Sequence, residues 1–365
     1  MMNAISNKLL IKRDESFDAL RGIAIIAVVA IHASGYIFGS EVVSSASNDF
    51  NVAFLYRQIL NFAVPVFLFI SGYWMSNKKV DSFEGYKQFL IQRLKRIVIP
   101  YLFWSIFILS FVTTRTQVFD AQEILFKLLT GGAIGPYYFI ILIVQFYMLT
   151  PIFQRVNKNL YGFILILLIN FLSLSFSYIT RLYFGSSFFS SLSVYAMPFY
   201  AWIIFYELGL IYRNFDKYKI SNHAATLIVI SIIFALAMSL FEAKIVFTKY
   251  NNLEFATSAV KFSSFLYSGC FITGFLYIRQ KVSKWPNLLI SLGNYSFGIY
   301  LIHIPVLWAL VDFLKDTIFR DGINYIIQPV FQLIVVFMTI IICCVFIFTS
   351  KKILPTNIHN TLLGF

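Results

Sequence analysis

Residues 19–38 read ALRGIAIIAVVAIHASGYIF. A membrane-spanning helix needs ~20 such apolar residues, yet this run carries Arg21 and His32. Two polar groups inside a spanning helix are costly and default to a functional reading. They stand eleven residues apart. At 100° per residue that is about 1100°, roughly 20° past three full turns, so both side chains share one helix face. Along the axis they are separated by ~16 Å at 1.5 Å per residue. The pattern predicts a helix with a cation near one membrane surface and an imidazole deep within it.

The rest of the chain repeats the apolar signal. Of its 365 residues 59% are hydrophobic and 12% charged, and the mean hydropathy is +0.78. A soluble domain carries about twice that charged fraction. The 42 Phe and 22 Tyr suit lipid contact and interfacial belts. Ten apolar runs fall near 19–38, 53–75, 97–114, 136–154, 160–180, 194–212, 224–241, 256–278, 287–311 and 326–349, each close to the ~20 residues of a span. The expected fold is all-α, a polytopic integral membrane protein of about ten helices. No polar stretch is long enough for a separate soluble domain, so residues 1–365 read as one integral domain.

A net charge of +13 in a soluble protein would suggest nucleic acid. Its distribution argues for topology instead. With the N-terminus inside, 19 Lys and Arg fall in inner segments and 7 in outer loops. Lys8, Lys12, Arg13, Lys78, Lys79, Lys158, Lys217 and Lys219 are among the inner set, and Arg181 and Arg320 among the outer. That bias predicts both termini in the cytoplasm. The first run is too long for a cleaved signal and holds Arg21 and His32. It reads as an uncleaved first span.

The remaining polar groups divide by chemistry. Imidazole titrates near neutral pH, so His32 can take a proton from a hydroxyl or attack an acyl group. Arg21 is either a snorkelling anchor or an anion grip, since guanidinium binds phosphate through two parallel hydrogen bonds. Asp18, one turn earlier, either caps the helix start or pairs with Arg21. Glu207 in FYELGLIY is either a partner for a basic group or a functional carboxylate. His303, counted from residue 287, lies ~24 Å along its span, nearer the outer surface, to line a substrate path or relay protons. Arg57 and Lys261 fall near outer helix ends and read as snorkelling residues. Arg93 and Arg96, in RLKRIVIPY, share a helix face. Pro100 follows them, where it kinks or restarts the third span. EILFKLL at 123–129 is a short amphipathic stretch suited to the membrane surface.

Several chemistries find no support. Cys270, Cys343 and Cys344 form no pairing framework or CxxC motif and read as small packing residues. His32, His223, His303 and His359 lack metal-ligand spacing, so no metal is expected. Walker, GxSxG and GxGxxG motifs are missing, which argues against a nucleotide-driven pump. A transporter or exporter of an envelope polysaccharide or small solute stays open, because ten spans with buried charge suit that class. Pro65 and Pro305 interrupt spans, but the two halves do not correspond.

FDALRGIAIIAVVAIHASGY resembles the first span of membrane acyltransferase family 3, whose hallmark is Arg, ten residues, then His. NFAVPVFLFISGYWM is similar to that family's second-span segment, with Val64, Pro65, Phe67, Ser71, Gly72 and Tyr73. RLKRIVIPY resembles its basic loop end, and GNYSFGIYLIHIPVL its late block, with Ser296, Gly298, Tyr300, His303 and Pro305. GPYYFIILIVQFYMLTPIF is similar to the fourth-span block, except that Pro136, Tyr137 and Tyr138 replace His-x-Trp. The blocks run in the family's order across most of the chain.

The resemblance, which extends to the enterobacterial common antigen O-acetyltransferase type, implies a multi-pass O-acyltransferase of a bacterial cytoplasmic (inner) membrane. An acyl group, most often acetyl, passes from cytoplasmic acyl-CoA to a hydroxyl of a cell-envelope glycan or lipid-linked sugar. Acetyl-CoA or another acyl-CoA is then a co-substrate, with no permanently bound cofactor. Members modify O-antigen, capsule, enterobacterial common antigen or peptidoglycan, and some carry an SGNH hydrolase-like extension that is not expected here. On this reading Arg21, Arg93 and Arg96 meet the donor phosphates. His32 acts as general base or brief acyl carrier. Asp18, Ser71, Tyr73, Glu207, Tyr300 and His303 are supporting or substrate-path residues.

Overall fold

The computed structural model describes residues 14–38, 48–76, 83–116, 119–157, 160–184, 195–215, 219–317, 328–356 and 358–365. Lys8, Lys12, Arg13, Lys78, Lys79, Lys158, Lys217 and Arg320 lie outside the described residues. Among the described residues the regular structure is helical, with no strand. The helices are α1 (Glu15–Phe38), α2 (Asn48–Leu60), α3 (Ala63–Met75), α4 (Phe83–Thr116), α5 (Ala121–Thr130), α6 (Tyr138–Val156) and α7 (Leu160–Tyr183). They continue with α8 (Ile203–Phe215), α9 (Ala224–Tyr250), α10 (Leu253–Thr257), α11 (Phe262–Arg279), α12 (Asn287–Asn294), α13 (Ser296–Thr317) and α14 (Gln328–Ile353).

The chain is a multi-pass membrane protein. Among the described residues nine segments are long and apolar enough to cross a membrane, against ten expected. The difference falls at 194–212. Pro198 is extended, a 3-10 turn occupies Phe199–Ala201, and regular helix begins only at Ile203, leaving thirteen residues for α8. Two other expected spans are interrupted. The second breaks at Asn61 and Phe62, between α2 and α3, and the ninth breaks at Tyr295, between α12 and α13. Broken helices are tolerated at membrane depth where the freed groups find partners or line a cavity. Asn61 finds them: its amide nitrogen donates to Gln58 Oε1 at 3.1 Å and to Ser264 Oγ at 3.2 Å. Pro100 does not restart its span, because α4 is one helix of 34 residues with Pro100 inside it.

α1 is the central post. Its most apolar window is 72% buried, against 11% for α9, whose Leu227, Ile233, Phe234 and Phe241 are exposed to the surroundings. α1 packs against α2, α3, α12, α13 and α14. Small residues allow the closest approaches, as is common where helices pack in lipid. A Cβ on Gly22 would fall 2.1 Å from the Leu289 carbonyl oxygen, and one on Gly293 1.8 Å from that of Asp18. The α3–α8 crossing is built alike: a Cβ on Gly72 would meet the Tyr206 carbonyl oxygen at 2.0 Å, and one on Gly209 that of Phe69 at 2.1 Å.

The 123–129 stretch lies in α5, which has no buried residue. Asp120 caps its start by accepting from the Gln122 and Glu123 amides, and Gly131 ends it at φ +73°, a conformation that favours glycine.

Candidate active site

The α1 stripe opens onto a cavity of about 440 Å³. At the end near the start of α1 its wall includes Arg21, Ser71 and Tyr147; midway it includes His32, Arg57, Tyr138 and Tyr300; at the far end, Tyr195 and Glu254. The helical spacing that aligns Arg21 with His32 therefore becomes two stations on one wall.

At the first station Arg21 pairs with Asp18, which is 1% exposed. Asp18 takes the pairing alternative. Capping falls to Asp14, which accepts from the Ser16 amide at 3.1 Å. The Arg21 side chain stays 30% exposed and lines the cavity, so part of the guanidinium remains for a ligand. Ser71 hydrogen-bonds the Tyr147 hydroxyl, and both Arg21 and Arg93 act on that group electrostatically. Arg93 is half-buried whereas Arg96 is exposed. The two sit on one helix at adjacent angles, but only Arg93 turns toward Tyr147. Neither Arg93 nor Arg96 is on the cavity wall.

At the second station the His32 and His303 rings lie 5.3 Å apart between centroids, tilted by 48°. His303 is fully buried, and its Nδ1 is 2.7 Å from the Tyr300 carbonyl oxygen. A carbonyl only accepts, so Nδ1 carries the hydrogen. In the neutral ring Nε2 is then a lone pair, and it is buried without a partner. The expected placement of His303 nearer the outer surface is corrected. The break at Tyr295 removes α12 from the axial count, and His303 stands beside His32. Tyr300 lines the cavity and donates its hydroxyl to the Pro136 carbonyl.

Arg57, a snorkelling residue by its place in the sequence, stands on the cavity wall beside the His32 turn. It does not snorkel away from the core. Its Nη1 donates to the Ile31 carbonyl, one residue before His32, at 2.7 Å, and its Nε is buried without a partner. It acts electrostatically on His32, Tyr138 and Tyr195. A signal was present. Arg57, Gln58 and Asn61 stand at i, i+1 and i+4 in one apolar run, a polar face on a helix. Lys261 does not snorkel either: it is 0% exposed, and its ammonium donates to Gln58 Oε1 at 3.0 Å and to the Ala256 carbonyl at 2.7 Å.

Tyr73 and Glu207 lie off the wall as well. Tyr73 is buried among Phe17 and Trp74, with the Arg213 guanidinium 4.6 Å from its ring centre. Glu207 is buried and receives a hydrogen bond from Asn157, which ties α8 to the end of α6. Its other oxygen has no partner. Among the described residues no group of three or more metal-ligating side chains occurs.

A cavity within a membrane bundle, with a guanidinium at one end and an imidazole pair midway, has the layout of a membrane-embedded transferase. The chain belongs to acyltransferase family 3, whose model, described as an acyltransferase domain, matches residues 14–348. It is 26% identical to "Putative membrane-bound acyltransferase YfiQ" of Bacillus subtilis (strain 168), over 78% of each chain. It is also 26% identical to "Probable poly-beta-1,6-N-acetyl-D-glucosamine export protein" of Staphylococcus aureus (strain MRSA252), over 74% of this chain and 75% of that one. No solved structure matches the chain.

Proposed function

We propose that this protein transfers an acyl group, acetyl in the first instance, from acyl-CoA to a hydroxyl of a cell-envelope glycan or lipid-linked sugar. The observation that carries the reading is the one cavity that joins Arg21 to His32 and Arg57 and continues to Glu254. With the N-terminus cytoplasmic, as the charge bias favours, the Arg21 end faces the donor pool. The acceptor enters from the opposite end or from the membrane plane.

Each station then has a task. Arg21 and Arg93 meet donor phosphates, for which guanidinium is well suited. The pantetheine arm follows the stripe and brings the thioester to His32. The acceptor hydroxyl attacks the thioester carbonyl while His32 takes its proton. Arg57 holds the oxygen that gains charge. The C–S bond then breaks, and the imidazolium returns the proton to the departing thiolate. His303 stands beside His32 with an unpartnered Nε2, which accepts a hydrogen bond from the His32 ring when that ring takes up the proton. Acyl transfer through His32 itself uses the same layout and differs by an acyl-imidazole intermediate.

Two measurements separate the roles. Arg21→Ala raises KM for acetyl-CoA by tenfold or more and changes kcat less. An unchanged donor affinity removes Arg21 from the phosphate grip. Arg57→Met lowers kcat by about 10²–10³, the usual cost of losing one oxyanion donor, and Arg57→Lys recovers part of it. A kcat within threefold of wild type in Arg57→Met ends the oxyanion role.

The export reading is favoured by one observation, the name of the Staphylococcus aureus relative. Purified protein decides between the two. A transferase consumes acetyl-CoA by hydrolysis or transfer, and an exporter does neither.

A further inference from the structure

The far end of the cavity is built around a carboxylate that the transfer chemistry at His32 does not use. Glu254 Oε2 is 2.8 Å from an Arg181 guanidinium nitrogen, and Tyr195 donates its hydroxyl to Glu254 Oε1 at 3.2 Å. Arg181 reaches this pair from α7, Tyr195 from the segment before α8, and Glu254 from α10. The Arg181 side chain is 7% exposed and lies 4.7 Å from the Tyr195 ring centre. Its carbonyl accepts from Asn252 Nδ2 at 2.9 Å, which fixes α7 to the start of α10. The carboxylate is thus held on two sides by buried groups. Yet its own side chain is 66% exposed, and Glu254 lies on the cavity wall.

A carboxylate offers about four lone-pair sites. One on each oxygen is used by Arg181 and Tyr195, so one on each stays open. Two open acceptors on one rigid group match two neighbouring hydroxyls, or a hydroxyl and an amide N–H. The charge of Glu254 is already offset by Arg181, which leaves no net attraction for an anion. Ala259, half-buried on the same stretch of wall, gives an apolar contact for the C–H face of a sugar ring. His32, Arg57, Tyr195 and Glu254 line one cavity, which puts this subsite and the transfer station in the same space.

We infer that Glu254, held by Arg181 and Tyr195, is the acceptor subsite, and that it takes a neutral sugar by hydrogen bonds from paired hydroxyl or amide groups. This rests on the acyl-transfer reading for its biological role, but the binding can be tested separately.

The test is calorimetric titration of the full chain in nanodiscs with three probes: a glucose tetrasaccharide, an N-acetylglucosamine tetrasaccharide and tetragalacturonate. CoA serves as a fold check. At least one neutral probe binds, tetragalacturonate binds at least tenfold more weakly, and Glu254→Gln weakens the neutral probe tenfold or more while still binding CoA. Three results overturn the proposal: neither neutral probe binds wild type, Glu254→Gln binds as wild type does, or the anionic probe binds equally well. Where Glu254→Gln also loses CoA, Tyr195→Phe decides. It removes one donor to the carboxylate; a threefold weakening supports the subsite and an unchanged Kd overturns it. Wild type that binds the neutral sugar but not CoA keeps the subsite and defeats the acyl-transfer reading.

Discussion

His32→Ala abolishes acyl transfer, with kcat/KM for acetyl-CoA and acceptor falling on the order of 10³-fold or more, while the protein still inserts and purifies as a folded species. General acid–base catalysis alone accounts for about 10²–10⁴ in rate, and a lost acyl carrier costs at least as much. The fold is expected to survive because little of it leans on the ring. Arg57 grips the backbone carbonyl of Ile31 and not the imidazole, and the His303 Nδ1 bond goes to Tyr300. The space left by the ring opens into an existing cavity, so no sealed void forms. The assay is transfer of radiolabelled acetyl groups by purified variant and wild type. Wild-type rates in His32→Ala remove His32 from the mechanism. Mass spectrometry of acid-quenched wild type separates the two roles of the ring, since only the carrier route leaves an acetyl group on His32.

The sequence carried Arg21 and His32 because both lie on one uninterrupted helix, where 3.6 residues per turn makes spacing into geometry. The same rule fails across a break. The axial count to His303 runs along a span that divides at Tyr295, and the sixth expected span runs through the Pro198 region, where regular helix begins only at Ile203. Charged residues at helix ends were harder still. Arg57 and Lys261 read as snorkelling because their position along the chain permits it, whereas Arg57 is held by the Ile31 carbonyl of α1 and Lys261 by Gln58 of α2. Glu254 gave no local signal. Its meaning comes from Arg181 and Tyr195, 73 and 59 residues earlier in the chain. Conversely, Tyr73 and Arg96 sit in family-like segments, yet their side chains turn off the cavity wall.

The second large effect is on folding, and it starts from a single hydrogen atom. Gly293→Val gives little or no folded protein. Its Cβ would lie 1.8 Å from the Asp18 carbonyl oxygen and 2.7 Å from the attached carbon. Both are backbone atoms, so no rotamer change can relieve the overlap. α12 and the start of α1 must move apart, which undoes the paired contact of Gly22 with Leu289 as well. Overpacking a well-packed core usually costs about 1–3 kcal/mol and occasionally more, and here the displaced element is the most buried helix. Gly293→Ala meets the same backbone atoms with a smaller group. Where it folds, it shifts the main chain that carries Asp18 and Arg21, and KM for acetyl-CoA rises with it. Gly269→Ala is the control: its Cβ meets nothing within 4 Å, and alanine is the better helix former by about 1 kcal/mol. Fluorescence-detected size-exclusion yields and thermal midpoints in detergent provide the comparison. Equal yields for Gly293→Val and Gly269→Ala would show that the α1–α12 crossing is looser than drawn, and Arg21 would then lack the fixed platform from which a phosphate grip must work.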